Sequence, residues 1–392
     1  MRITLVIGGL KGGGAERVCV NLANAWAACD RQVTLLTVSQ KTAPPAYPLD
    51  LRVHRRDLGW PRLANSAELN HTSIAPLLRI LYRAKCSELI VEIPLLAMLR
   101  HAILATKPSV VVAQIDMTNI RVLAAMPETG VPVIACEHTD NSQLSIGKWQ
   151  SVRSSLYRRA HAVVAPHQRS AEWLAGDGAA AVAIPNPLVH PTLEYFERTG
   201  NRRRLVTLTR LSSEKRPELF VRAFASIADD FPGWDFDVYG EGPLRASIAS
   251  LIDRIAPGRI QLRGFTSAPY DILKKADLFV STSWVEGFGN SIWESLACGV
   301  PVVAMEAGAA VRSLVRDGID GLIVNQNNME GLAAALASLM RDDQKRNSFA
   351  ARAPEVLKRF SIEASLRAWD QLLDKVTQGR NQGKITSKVR TS

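Results

Sequence analysis

No run of about 18 apolar residues, the length a helix needs to cross a bilayer, occurs in this 392-residue chain. The nearest approach, Leu89 to Leu104, is broken by Glu92, Pro94 and Arg100. Cysteine is scarce. The five residues (Cys19, Cys29, Cys86, Cys136, Cys298) form no Cys-x-x-Cys and have no histidine at zinc-finger spacing. Reduced thiols in an intracellular protein are therefore expected. A secretory leader is not expected either. Ile3 to Leu10 is mostly apolar but short, and it passes into Lys11-Gly12-Gly13-Gly14 without a small-residue cleavage site. No nucleic-acid recognition module is present. Acidic residues are outnumbered, 37 against 48 basic, for a net charge of +11. Residues 1–185 hold 20 Lys+Arg against 13 Asp+Glu, so the first half carries most of the excess. A basic surface favours anionic partners such as phosphorylated metabolites or anionic lipid, with a merely solvated surface as the plain alternative.

What is present is a globular composition, 47% hydrophobic and 22% charged, long enough for two domains. Short β-branched runs alternate with helical patterns, the signature of βαβ units and parallel sheets. Strands are predicted at Ile3–Ile7, Gln32–Val38, Ser109–Gln114, Val131–Cys136, Ala162–Ala165 and Ala181–Ile184. A second set is predicted at Leu205–Thr209, Asp235–Tyr239, Ile260–Leu262, Leu278–Thr282, Val300–Ala304 and Gly321–Val324. Two doubly wound α/β sheets follow, one over residues 1–187 and one over 201–361. Pro185-Asn186-Pro187 and the polar stretch after it mark the boundary. A last helix over 362–376 carries Trp369, Leu372 and Leu373 on one side and is expected to pack back on the first domain. Residues 379–392, with basic residues and no acidic one, read as a disordered tail. From Ile74 to Thr106 apolar residues alternate with Arg79, Arg83, Lys85, Arg100 and His101. This is either a helix packed on a sheet with a solvated basic face or a surface for anionic membrane.

Three loops carry chemistry. After the first strand, Gly8-Gly9-Leu10-Lys11-Gly12-Gly13-Gly14-Ala15-Glu16 opens a helix. Such a loop can offer backbone N–H groups to an anion, although it is neither Gly-x-Gly-x-x-Gly nor a P-loop. After Leu205–Thr209, Arg210 and Lys215 fall at the carboxyl end of a strand, where open α/β sheets bind ligands. Two cations there could clamp a diphosphate or simply pair with Glu214. After Leu278–Thr282, Glu286 and Glu294 flank a loop-to-helix junction. If fully helical they would lie ~12 Å apart, against roughly 5–9.5 Å for a glycoside-hydrolase carboxylate pair. The spacing suits two ends of an extended ligand better.

The segment Glu286-Gly-Phe-Gly-Asn-Ser-Ile-Trp-Glu294, followed by Ser295-Leu-Ala-Cys-Gly-Val-Pro-Val-Val-Ala304, resembles the E-x7-E signature of the family-4 retaining glycosyltransferases of GT-B fold. Arg210 and Lys215 fall on that family's diphosphate-binding pair. Tyr239-Gly240-Glu241-Gly242-Pro243 is similar to its strand-end turn, Arg263-Gly264-Phe265 to its turn near the base, and Asn186 to its interdomain Asn. Gly12-Gly13-Gly14-Ala15-Glu16 is similar to its N-terminal glycine loop. The likeness runs through nearly the whole chain in order.

The resemblance implies two Rossmann-like doubly wound parallel-sheet domains facing an interdomain cleft, acceptor on the first and donor on the second. It implies hexosyl transfer from a nucleotide diphosphate sugar to a glycan or polyprenol-linked acceptor in surface polysaccharide biosynthesis. Arg210 and Lys215 would neutralise the diphosphate, Glu286 would face the sugar, and Glu294 would take the ribose hydroxyls. Gly287, Phe288, Gly289, Asn290, Arg263 and Phe265 would complete the donor pocket. His138, after Val131–Cys136, would lie near the sugar, and Gly12, Gly13, Gly14 and Glu16 would form an acceptor or phosphate loop. No cofactor or metal is expected. Asp235-Phe236-Asp237 spells Asp-x-Asp but reads as a solvated pair at a strand edge. The basic first half and the Ile74–Thr106 region are compatible with peripheral contact at the inner face of an anionic membrane, and nucleic acid is not expected. One position departs from the family, Ser313 standing where it places a Glu, which touches the details of the donor pocket. An epimerase or phosphorylase on the same fold, or a non-catalytic nucleotide-sugar-binding protein, are the alternatives.

Overall fold

The computed structural model describes residues 1–39, 44–60, 89, 92–140, 142–189 and 202–388, the last ten of these as backbone only. The chain divides into two compact units, Met1–Leu188 with Ile362–Ser392, and Val189–Ser361. In the first, seven parallel strands lie in the order β3-β2-β1-β4-β5-β6-β7. They are β1 Arg2–Ile7, β2 Gln32–Thr37, β3 His54–Asp57, β4 Val110–Gln114, β5 Val133–Cys136, β6 Ala162–Ala165 and β7 Ala181–Ala183. β4, β5 and β6 are buried along their whole length, which is why they read as apolar runs, broken only by Gln114 at the end of β4. The helix Gly14–Ala28 lays Val18, Leu22 and Trp26, one turn apart, into the core.

The second unit holds six parallel strands in the order β10-β9-β8-β11-β12-β13. These are β8 Arg203–Leu208, β9 Trp234–Tyr239, β10 Ile260–Gly264, β11 Leu278–Ser281, β12 Val302–Met305 and β13 Gly321–Val324. Its core includes Phe220 and Phe224 of the helix Pro217–Ala225, whose rings lie 5.5 and 5.4 Å from that of Phe236. Each sheet starts in its middle, runs to one edge, then returns to fill the other side. The order therefore reverses between β1 and β4 in one unit and between β8 and β11 in the other. Loops leaving the carboxyl ends of those pairs diverge and leave room for a ligand.

Three expectations change. The first sheet has a seventh strand, β3, missed because His54-Arg55-Arg56-Asp57 is polar throughout. At the sheet edge it needs only one ladder, to β2, and no apolar face. Residues 379–388 of the expected tail are helical instead, because one helix spans Ile362–Lys388. Its two glycines, Gly379 and Gly383, weaken a helix by about 1 kcal/mol each, and no proline stops it. Asp235 and Asp237 are not a solvated edge pair. β9 has neighbours on both sides, and Asp237 is buried between Arg204 and Arg263 at 2.9 and 2.7 Å. Asp235 is taken by Arg202 at 2.5 Å.

Of the basic region 74–106, residues 74–88 and 90–91 lie outside the described residues. The part that is described includes the helix Ile93–Ala105, which buries Leu95, Leu96, Leu99 and Ile103. Arg100 there donates to the carbonyls of Ala125 and Pro127, closing the end of the helix Asp116–Ala125. That is the packed-helix arrangement for this cation. The last helix packs within the first unit. Trp369 meets Trp26 edge-on at 5.5 Å, Ser365 donates to the Pro185 carbonyl at 2.6 Å, and Asp370 pairs with Arg31 at 2.8 Å. No helix among the described residues is long and apolar enough to cross a membrane.

Candidate active site

The strand-order reversal of the second unit brings the loop after β8 against the loop after β11. Lys215 Nζ donates to Glu286 Oε1 at 2.6 Å, and Ser283 Oγ donates to the same oxygen at 2.6 Å. Both side chains are mostly buried, 22% and 12% exposed, so water screens the pair only in part. Arg210 lies exposed on the same loop, five residues earlier. Glu214 lies between them in sequence. Burial pushes its carboxyl up, but the Ser212 hydroxyl, its own backbone and the charges of Lys215 and Arg210 outweigh this and leave it below the usual range. Glu214 takes the Ser212 hydroxyl at 2.6 Å rather than either cation.

Local backbone explains the placement. Arg216 sits in the left-handed region (φ 49°) between a single 3-10 turn, Ser213–Lys215, and Pro217, which opens the next helix. Thr282 Oγ1 lies 2.9 Å from both the Lys215 and Arg216 carbonyls, and Trp284 N donates to the Glu214 carbonyl at 2.8 Å. Gln326, in the loop after β13, ties the assembly further. Its amide donates to the Ser283 and Glu306 carbonyls at 3.1 and 2.6 Å, and its oxygen accepts from Arg216 at 2.9 Å. Arg216 also lies over the Trp284 ring at 5.6 Å. Sequence reasoning missed Thr282, Ser283, Trp284, Arg216 and Gln326. The one signal was their position just past strand ends.

The turn after β9 packs hard against that after β8. A Cβ on Gly240 (φ 138°) would sit 1.8 Å from the Thr209 carbonyl oxygen, and one on Gly242 2.3 Å from that of Leu211. Only glycine lets these backbones approach so closely. Gly289 is in the left-handed region (φ 88°), and the helix Asn290–Ala297 begins after it. Glu286 therefore precedes the helix, and Glu294 lies within it, buried to 1% exposure. Phe288 packs its ring edge-on to Phe360 at 5.6 Å, so it can serve a ligand only through its backbone. Arg263 is committed to Asp237, whereas Phe265 is 48% exposed just past β10. At the departure from the family, Ser313 Oγ donates to the Ala310 carbonyl at 2.8 Å.

In the first unit, the glycine loop is already served. Glu16 Oε2 accepts from the N–H groups of Gly12 and Gly13 at 2.5 and 2.6 Å. Gly14 starts the helix, and Tyr47 donates to the Gly12 carbonyl at 2.8 Å. The expected open anion cradle is thus filled by the chain's own carboxylate, which any phosphate would have to displace. His138 stands past the end of β5, its Nε2 2.7 Å from Gln114 Oε1, and burial pushes its pKa down to about 4. Beside it, buried Glu137 accepts from the Tyr157 hydroxyl, and burial together with that carboxylate drives the Tyr157 pKa well up. Among the described residues no three His, Cys, Asp or Glu are grouped to hold a metal.

Two family models match this chain, "Glycosyl transferase 4-like domain" over residues 13–187 and "Glycosyl transferases group 1" over 202–342. The second takes in both β8 and β11 loops and the Glu286–Glu294 segment. The chain belongs to this glycosyltransferase family. A poly(glycerol-phosphate) alpha-glucosyltransferase of Bacillus subtilis is 33% identical over 47% of this chain and 28% of its own length. The match thus spans less than a third of that relative's length. An alpha-1,4-N-acetyl-D-galactosaminyltransferase of Campylobacter jejuni, named for a diNAcBac-PP-undecaprenol substrate, is 22% identical over 96% of this chain and 99% of its own. Among solved structures, TarM of S. aureus gives a TM-score of 0.74 at 13% identity, covering 95% of this chain and 99% of that one. HepE of Anabaena, solved with UDP and glucose, gives 0.73 at 20% identity, covering 96% and 100%. The fold is GT-B.

Proposed function

We propose that this glycosyltransferase moves a hexosyl group, with retention of anomeric configuration, from a nucleotide diphosphate sugar to a glycan or polyprenol-linked acceptor in surface polysaccharide biosynthesis. The observation that carries the reading is the Lys215–Glu286 pair at the β8/β11 reversal, with Arg210 exposed five residues earlier on the β8 loop. Breaking a glycosyl–phosphate bond leaves negative charge on a diphosphate. Fixed cations aimed at that charge stabilise the transition state most, because they need no reorganisation when it forms. Lys215 and Arg210 fill this role, which makes a metal ion unnecessary. Glu286 then exchanges its hydrogen bond with Lys215 for the hydroxyls of the transferred sugar. Attack comes from the face the phosphate leaves, and the departing phosphate oxygen takes the acceptor proton, so no protein base is required. Glu294 serves the nucleoside, and Phe265 offers an exposed ring near the base.

One relative, named for an undecaprenol-linked glycan, supports the acceptor class, while another is named for poly(glycerol-phosphate), a polyol-phosphate polymer. The net charge of +11 suits work at the inner face of an anionic membrane. The K215A/R210A double variant should lose transfer by about 100-fold or more while staying folded. Parental turnover in a nucleotide-release assay with acceptor would refute the assignment. Co-sedimentation with anionic vesicles at low salt should capture the protein and fail at high salt. No capture at low salt removes the membrane clause.

A further inference from the structure

Gln114 ends β4, is fully buried, and pairs in register with Cys136 on β5, two residues before His138. Its Oε1 lies 2.7 Å from His138 Nε2. An amide oxygen can only accept, so the proton of that bond belongs to Nε2. A neutral imidazole carries one proton, so Nδ1 is left with a bare lone pair. Among the described residues His138 Nδ1 is buried and meets no hydrogen-bond partner, whereas the Gln114 side chain also hydrogen-bonds the Cys136 sulfur. Buried polar atoms in native proteins are paired in the great majority of cases, so such an atom points to a missing partner. Both residues line one small cavity with Val18, Leu22, Asn186 and Pro185, roomy enough for about one water-sized group. The backbone is also strained here. Ile115, the next residue, has φ 74°, a conformation β-branched residues rarely adopt.

We infer that Gln114 is a positioning residue that holds the proton of His138 on Nε2, so that Nδ1 acts as a hydrogen-bond acceptor for a substrate hydroxyl. This rests on the reading of His138 as a substrate contact and adds its role to it. His138 is neither a general acid nor a cation for the diphosphate. A phosphate or carboxylate oxygen would meet a lone pair and be repelled, whereas a sugar hydroxyl can donate to it.

The groups around His138 do not oppose this. Glu137, adjacent in the chain, is bonded to Tyr157. On the helix Gly14–Ala28, Cys19 is buried with its thiol pushed up, chiefly by burial, and Glu16 is occupied by the glycine loop. Cys136 on β5 is pushed up by burial as well. Beyond β5, Asp140 accepts from Ser142 and Ser170 and lies near His167. Past β4, Asp116 accepts from the Met117 N–H, and on the last helix Asp370 pairs with Arg31. Burial alone depresses His138, so no charge fixes its ring state.

The test uses the full chain with ¹⁵N-labelled histidine. Long-range proton–nitrogen correlation should show His138 protonated on Nε2 and bare on Nδ1 from about pH 5.5 to 8. In Q114L the two tautomers should mix. In Q114E a carboxylate beside Nε2 raises the imidazole pKa, and the cation lacks the Nδ1 lone pair. Transfer by Q114E should then fall about tenfold from pH 8 to 6, a limb absent from the parent. A merely structural role would lower the rate equally at every pH. A parental ring protonated on Nδ1, an unchanged tautomer in Q114L, or a flat Q114E profile would each overturn the inference. If the tautomer is as stated but H138A transfers sugar at the parental rate, the substrate-contact reading fails while tautomer control stands.

Discussion

Lys215 and Glu286 illustrate how one residue's position and its chemistry are decided together. Each neutralises the other at 2.6 Å, so neither buried charge is left unpaired before a ligand arrives. Removing one alone would strand the other, and single substitutions there should cost stability as well as rate. His138 makes the opposite case, a buried base kept neutral. Its folded pKa of about 4 lies below the ordinary 6.5, so between those values the unfolded chain binds the extra proton. Its contribution to stability is complete above about pH 6.5 and is lost as pH falls toward 4, at up to ~1.4 kcal/mol per pH unit. Urea melts of H138L across this range should show a shallower loss than the parent. The slope should not vanish, because His161 and His167 are depressed in the same direction, each chiefly by burial. An unchanged slope would contradict the assignment.

Among the elements, the four loops past β8, β11, β12 and β13 act as one piece because Gln326 and Thr282 join them by hydrogen bonds to main chain. Such ties hold catalytic groups in place without touching substrate. Q326M keeps the side chain's length and removes its hydrogen bonds. It should lower kcat about tenfold with a smaller effect on donor KM, measured by steady-state kinetics. Equal losses in both, tracking the melting temperature, would reduce Gln326 to a stabilising role. The glycine turn after β9 contributes to the same rigidity, since Gly240 and Gly242 let it press on Thr209 and Leu211.

For the molecule as a whole, the chain passes from the first unit to the second and back, so residues distant in sequence complete one core. Trp369, 2% exposed, closes the first unit against Trp26. W369A should cost about 3–5 kcal/mol, seen as a lower melting temperature, through the cavity it leaves. Stabilisation of the second unit by a nucleotide diphosphate sugar should survive the change at temperatures where the protein is still folded. Loss of nucleotide binding in folded W369A would show that the two units share more than a chain.

Strand periodicity, the glycine punctuation and the loops past β8 and β11 were legible in the sequence, since burial on both faces imposes apolar runs and ligand loops follow strand ends. Glu286, Lys215 and Arg210 could be chosen because they lie past such ends in segments that resemble the family's motifs. Polar β3 was not legible, because an edge strand takes its stability from a partner's ladder rather than its own side chains. Nor was the partnering of Glu16 with the glycine loop, of Arg263 with Asp237, of Phe288 with Phe360 or of Gln114 with His138. Those depend on which polar or apolar groups folding brings within contact distance, and linear order does not contain that.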